Sequence, residues 1–220
     1  MEKLIDGVRQ FRSAAYAERR ELFATLSTGQ APRILFVTCS DSRVAPHLIT
    51  SSEPGDLFVI RNAGNLVPAY AAQGTGEEAT LEYAVAALGV EHIIVCGHSG
   101  CGAMGGLLAP ESLGSLPSVA NWLRHAGSTA ACVHATVPED ADYAHRLNVT
   151  VETNVLRQLD NLKTHPSVAA ALARRAVKLH GWVYDIGTGT IRSYDPDRQR
   201  FVELGEHLHS VERHLRLAAG

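Results

Sequence analysis

The residues in this chain best suited to chemistry lie at two places. Cys39, Asp41 and Arg43 alternate at the end of Arg33-Ile-Leu-Phe-Val-Thr-Cys-Ser-Asp-Ser-Arg43, and His98 and Cys101 end Glu91-His-Ile-Ile-Val-Cys-Gly-His98-Ser-Gly-Cys101-Gly102. Two thiolates and one imidazole suit zinc better than a hard cation such as magnesium or calcium. Three protein ligands leave one corner of a tetrahedron for water, as a catalytic rather than a structural site requires. A lone His-x-x-Cys would say little, since cysteine is often only a small buried hydrophobe. Cys39 at the end of a second apolar run repeats ligand logic rather than core logic. Asp41 and Arg43 by themselves would be a surface ion pair of little worth. Beside a metal the pair becomes a gate.

Two elements must position these groups. Ile34 to Val37 has the β-branched and aromatic content and the length of a buried strand, so Cys39, Asp41 and Arg43 fall where it leaves its sheet. Open α/β sheets place their ligands at such strand ends. The second apolar run does the same for His98 and Cys101, with glycines on either side that permit a sharp turn and a close approach. The helix expected over Glu77 to Leu88, with Leu81, Val85 and Leu88 on one face, is a crossover between parallel strands.

With these motifs the chain resembles the β-class carbonic anhydrases, in their plant-like branch. Cys39-x-Asp41-x-Arg43 and His98-x-x-Cys101 match that family's zinc ligands and its Asp-Arg dyad. The similarity continues through Glu53-Pro-Gly-Asp-Leu-Phe-Val-Ile-Arg-Asn62 and Leu81-Glu-Tyr-Ala84, from about Gln30 to Asp185. It implies reversible hydration of carbon dioxide to bicarbonate and a proton by zinc-bound hydroxide, with one zinc ion per subunit. Asp41, held by Arg43, would orient the hydroxide. It would become a fourth zinc ligand only in a closed, inactive state.

The resemblance also assigns residues that the pattern alone would leave as ordinary structure. Gln30, by default a solvated turn residue, stands nine positions before Cys39, where the plant-like branch has a substrate-binding amide. Phe58, Ala63 and Tyr83 would form an apolar wall, partly across a subunit interface, although Phe58 alone would read as core. The Gly102 N–H would join the Gln30 amide in stabilising charge on the substrate oxygens. Phe36 replaces the tryptophan that the other branch uses in an inhibitory bicarbonate site, so no such regulation is expected. Two readings compete: a carbonyl sulfide or carbon disulfide hydrolase on the same scaffold, and a non-enzymatic protein with a closed Cys-Asp-His-Cys zinc site. Against the last stands Arg43, which a purely structural aspartate ligand would not require.

The chain has 220 residues, 45% hydrophobic, with a formal net charge of -3. That suits one α/β domain over 1–220 and argues against a nucleic-acid partner. No apolar stretch is long enough for a signal peptide or a membrane span, and four cysteines without dense spacing fit a reducing compartment, so a cytoplasmic protein is expected. Residues 1–28 form an amphipathic helical arm with Leu4, Val8, Phe11, Ala15, Leu22 and Leu26 at helical spacing. Such an arm lies across a partner subunit in the family, which implies a homodimer or homotetramer. Residues 30–194 form the zinc-site core: a central, mostly parallel sheet flanked by helices, closed by an antiparallel edge strand from the hairpin His180 to Tyr194. A helix is expected over 204–218; its His207, His209 and His214 are a solvated face rather than a second metal site. Gly74-Thr-Gly76 lacks a preceding strand and a third glycine, and Gly97 to Gly106 lacks Gly-Lys-Ser/Thr, so no nucleotide site is expected.

Overall fold

A computed structural model describes residues 1–72 and 74–205. Six strands, β1 (Ile34–Cys39), β2 (Leu57–Asn62), β3 (His92–His98), β4 (Lys178–Tyr184), β5 (Ile191–Asp195) and β6 (Arg200–Glu203), form one sheet in the order β2-β1-β3-β4-β5-β6. The first four are parallel. β5 and β6 add to the edge antiparallel. The hairpin pattern predicts one antiparallel strand there, and β6 is the second. Its four residues are too few to show alternation, and pairing with β5 rather than local pattern makes it a strand.

Both faces of the parallel strands are apolar, which is why β1 and β3 read as continuous hydrophobic runs. Leu35, Val37, Ile93 and Val95 join the larger core, while Phe36, Ile94 and Cys96 form a smaller cluster with Trp182 and Tyr184 on the opposite face. Phe36 meets Trp182 edge-on at 6.0 Å between ring centroids. The Cys96 thiol, fully enclosed, is pushed up to about 12 by burial.

The helices, in chain order, are α1 (Glu2–Ser13), α2 (Ala15–Glu18), α3 (Arg20–Leu26), α4 (Pro46–Thr50), α5 (Gly76–Glu82), α6 (Gly102–Leu108), α7 (Pro117–Leu123), α8 (Gly127–Thr136), α9 (Tyr143–Leu162) and α10 (Pro166–Ala173). The long helix α9 lies on β3 and β4 with Val151, Val155, Leu159 and Leu162 inward, as their spacing predicts. It can come so close because Gly97 and Gly181 have no side chains. A Cβ at Gly97 would lie 2.9 Å from Val151 Cγ1 and 2.9 Å from Val155 Cγ2. Gly97→Ala is therefore expected to cost about 1–3 kcal/mol by forcing α9 off the sheet. Urea unfolding would measure it, and an unchanged midpoint would contradict this packing.

The expected helix over Glu77 to Leu88 changes character midway. α5 opens with a capping box between Thr75 and Glu78, then Tyr83–Ala87 widens into a π turn, with Leu88 N–H bonding Tyr83 O at 3.0 Å. Such turns occur often at functional sites.

The arm is three short helices rather than one. A straight helix would hold Phe11 and Phe23 about 18 Å apart at 1.5 Å per residue. Here their rings are 5.8 Å apart, and Tyr16 stacks on Phe23 at 5.0 Å. The breaks at Ala14 and Arg19 thus gather three aromatic rings, a gain made through space that helical spacing does not show. Arg19 fastens the arm to the core by a fork onto Glu53, at 2.6 and 3.1 Å. No residue of α1, α2 or α3 is buried in the single chain. Leu204 and Gly205 lie in a turn, so the expected terminal helix does not begin at Leu204; the rest of 204–218 lies outside the described residues. Among the described residues no helix is long and apolar enough to cross a membrane.

Candidate metal centre

Strand order places the site. From β1 the chain turns to β2 on one side, while β3 and β4 lie on the other, so a crevice opens beyond the carboxyl ends of β1 and β3. Cys39 ends β1, His98 ends β3, and Cys101 is the N-cap of α6. Their Sγ, ring-nitrogen and Sγ atoms all lie within 4.8 Å of one another, and all three residues are buried. Among the described residues no other group of His, Cys, Asp and Glu converges in this way.

The histidine is prepared as a ligand. Its Nδ1 lies 3.0 Å from Ser99 O and donates there, which leaves the Nε2 lone pair facing the two sulfurs. His98 is fully enclosed and Nε2 has no hydrogen-bond partner. A buried nitrogen so placed is costly unless something coordinates it. Two thiols and one imidazole are a soft, nitrogen-containing donor set of the kind zinc takes. The residues fit the ion.

The sulfurs are poised for it. Cys39 is drawn well below the usual thiol range by hydrogen bonding from Cys101, against its own burial, and further by the N–H groups of Gly64 and Asp41. Cys101, beside the resulting negative charge and itself buried, is pushed up. Two sulfurs so close do not both carry charge without a counter-ion, and a bound cation would take the place of the proton they otherwise keep.

Asp41 sits at the rim with its carboxylate gripped by Arg43. Arg43 Nε donates to Oδ1 at 2.9 Å, Nη2 to Oδ2 at 2.7 Å, and the Arg43 backbone N–H to Oδ1 at 3.0 Å. These bonds hold its carboxyl far below the ordinary carboxylate range. Arg43 Nη2 also donates to Gly100 O at 3.1 Å, so one side chain spans both ligand loops. Asp41 Oδ2 is 3.9 Å from His98 Nε2.

Two further residues, which ligand spacing does not predict, support the site. Arg61 donates to Cys39 O at 3.1 Å and to Asp41 O at 2.9 Å, bracing the loop between ligand and dyad. Thr38 donates to Cys96 O at 3.0 Å and ties the two ligand strands together. A charge inside the apolar strand Leu57–Asn62 was a signal for Arg61. Nothing local marked Thr38.

This arrangement is one that known proteins share. The family described as "Carbonic anhydrase" matches residues 34–191. The chain belongs to the β-carbonic anhydrases. It is 53% identical over 207 residues to a carbonic anhydrase of Pseudomonas aeruginosa, covering 94% of this chain and 93% of that one. A carbonic anhydrase of Synechocystis is 47% identical, over 96% of this chain and 77% of the relative. Among solved structures, the β-carbonic anhydrase CcaA superposes with a TM-score of 0.90 at 48% identity, over 92% of this chain and 98% of that chain. A chain from the structures of two tetrameric β-carbonic anhydrases of Sordaria macrospora is more distant, with a TM-score of 0.74 at 32% identity over 93% of this chain and 96% of that chain.

The single carbonic anhydrase chain gathers only part of the expected pocket. Ala63 is near, since the next residue, Gly64, donates to Cys39 Sγ at 3.4 Å. Gly102 opens α6 directly after Cys101, and a Cβ there would meet nothing within 4 Å. Phe58 lies elsewhere: it is paired with Leu35, and Cys39 with Asn62. At about 3.3 Å per residue, Phe58 stands about 13 Å back along the sheet from Cys39. Tyr83 packs against Phe58 at 6.0 Å and is half exposed. Gln30 is exposed and precedes β1 altogether, beyond the end of the strand opposite to Cys39.

Proposed function

We propose that this enzyme hydrates carbon dioxide reversibly at the Cys39, His98 and Cys101 centre, and that two copies of the chain complete each pocket. Cys39, His98 and Cys101 would hold one zinc ion per subunit, which when bound supplies the Lewis acidity that makes hydroxide available from water near neutral pH, the effect for which carbonic anhydrase is the standard case. Asp41, immobilised by Arg43, accepts a hydrogen bond from the attacking oxygen and so aims a lone pair at the carbon of carbon dioxide. Oδ1 already accepts two bonds from Arg43 and Oδ2 one, so Oδ2 is the oxygen with capacity left for this bond. The N–H of Gly102, in the first turn of α6, is one of those a helix leaves without an internal partner, and it stabilises charge gathering on a substrate oxygen. Were the Arg43 grip released, the Asp41 carboxylate would be the nearest group to take the fourth position and close the site. Phe36, buried against Trp182, supports the plant-like reading without inhibitory bicarbonate.

One observation carries the two-copy reading: the register that sets Phe58 level with Leu35 puts Phe58, and Tyr83 packed against it, at the far end of the strands from the ligands. Gln30, Phe58 and Tyr83 therefore serve the centre of a second subunit, in a homodimer or in a tetramer built from such dimers. The exposed apolar face of the arm, with Leu4, Val8 and Phe11, lies across that partner.

Subunit mixing tests this by stopped-flow carbon dioxide hydration. Gln30→Ala and Cys39→Ala oligomers should each be nearly inactive. Refolded together, they should recover about one site in four, because a mixed dimer joins an intact metal centre to an intact Gln30. Absence of recovery in confirmed mixed dimers would assign Gln30 to its own subunit's centre and overturn the two-copy pocket.

A further inference from the structure

The N–H that reaches the Cys39 sulfur belongs to a peptide held from behind. A peptide unit is planar, so its C=O and N–H point in opposite directions and fixing one aims the other. The Gly64 N–H, 3.4 Å from Cys39 Sγ, shares its peptide with Ala63 O. Trp122 on α7 donates its indole Nε1–H to that oxygen at 2.8 Å. The next peptide is held too: Asn154 Nδ2 on α9 donates to Gly64 O at 3.0 Å. Asn154 is itself oriented, its Oδ1 accepting from Gln158 Nε2 at 2.9 Å and from Thr129 Oγ1 at 3.3 Å. Gln158 Oε1 in turn accepts the Val67 N–H at 2.8 Å, anchoring the far end of the same loop. Asn154 and Gln158 are both fully buried among apolar neighbours on α9. Two amides placed one turn apart in a core helix are expensive unless their bonds are specific. The loop has little freedom left, since a Cβ at Gly64 would lie 3.0 Å from Ala103 Cβ and 3.1 Å from Met104 Cε.

We infer that Trp122 and Asn154 are positioning residues that aim the Gly64 N–H at Cys39 Sγ and thereby set how much charge this sulfur gives to a bound metal. The chain indole N–H to Ala63 O, through the peptide, to Gly64 N–H and sulfur is continuous, so each bond polarises the next. Neither residue touches substrate or metal. This inference rests on Cys39, His98 and Cys101 being the metal ligands.

The test uses full-length protein loaded with cobalt(II), read by its sulfur-to-cobalt charge-transfer band, with zinc affinity measured by chelator competition. Trp122→Phe keeps the aromatic bulk and removes only the N–H donor. It should shift the band to lower energy, because the sulfur lone pairs lose a stabilising bond, and weaken zinc binding by about tenfold, the usual scale for groups that orient ligands. Asn154→Leu should shift the band the same way, and Gln158→Met replaces it if the leucine variant does not fold. Thr150→Val is the control: it removes a buried hydroxyl from the same helix, bonded at 2.7 Å to Arg146 O and not to the loop. A band shift in Trp122→Phe or in the α9 variant, absent from Thr150→Val, supports the inference. An unmoved band in both, or an equal shift in the control, overturns it. Wild-type protein that takes up no cobalt would overturn the ligand assignment as well, which separates the two failures.

Discussion

Cys39→Ala is expected to abolish metal uptake and carbon dioxide hydration together. Removing a group that merely orients a ligand costs about 10–100-fold in affinity, so removing a ligand should cost more than about 100-fold. His98 and Cys101 would remain as two donors at one side of the crevice, too few to hold zinc tetrahedrally. The fold should survive, because the change is small and Arg61 grips the Cys39 carbonyl rather than its sulfur. Zinc content by mass spectrometry and hydration by stopped flow measure the two losses, and circular dichroism checks the fold. Retained stoichiometric zinc with full activity would remove the ligand assignment.

Arg43→Ala should leave zinc in place and lower hydration by about 100-fold, within the range attributed to a mispositioned reacting group. The reason is orientation rather than charge. Arg43 holds the Asp41 carboxyl far below its ordinary range; without it the carboxyl rises toward about 3.9, which is still ionised at neutral pH. The carboxylate then swings free, no longer held off the metal side, where its Oδ2 is 3.9 Å from His98 Nε2. Arg43→Lys should recover only part of the loss: an ammonium keeps the charge but cannot reproduce the fork that engages both oxygens together with Gly100 O. Zinc content alongside the hydration rate separates this outcome from metal loss, and full activity in Arg43→Ala would sink the dyad.

Wherever residue type and local spacing carry the information, the site was legible. Cys39, Asp41 and Arg43 alternate along a strand exit, and His98 and Cys101 follow another, so their convergence needed only two adjacent parallel strands. The helix face of α9 was legible for the same reason. Gln158 and Asn154 were not, because polar residues on a buried stripe read as exceptions until the loop they bind is known. The arm was legible as amphipathic but not as broken, since the contact between Phe11 and Phe23 that bends it is made through space. β6 was invisible locally because it exists through pairing with β5.

By itself, the sequence determined the candidate ligands Cys39, His98 and Cys101, the Asp41 and Arg43 pair and a mostly parallel sheet, because ligand chemistry and hydrophobic period are properties of the residues in order. Only the tertiary structure decided that Phe58 stands level with Leu35, far along the sheet from Cys39, and that Trp122 and Asn154 hold the peptide pointing at Cys39. Strand register and the direction of a buried hydrogen bond depend on which segments meet, and spacing along a chain does not contain that.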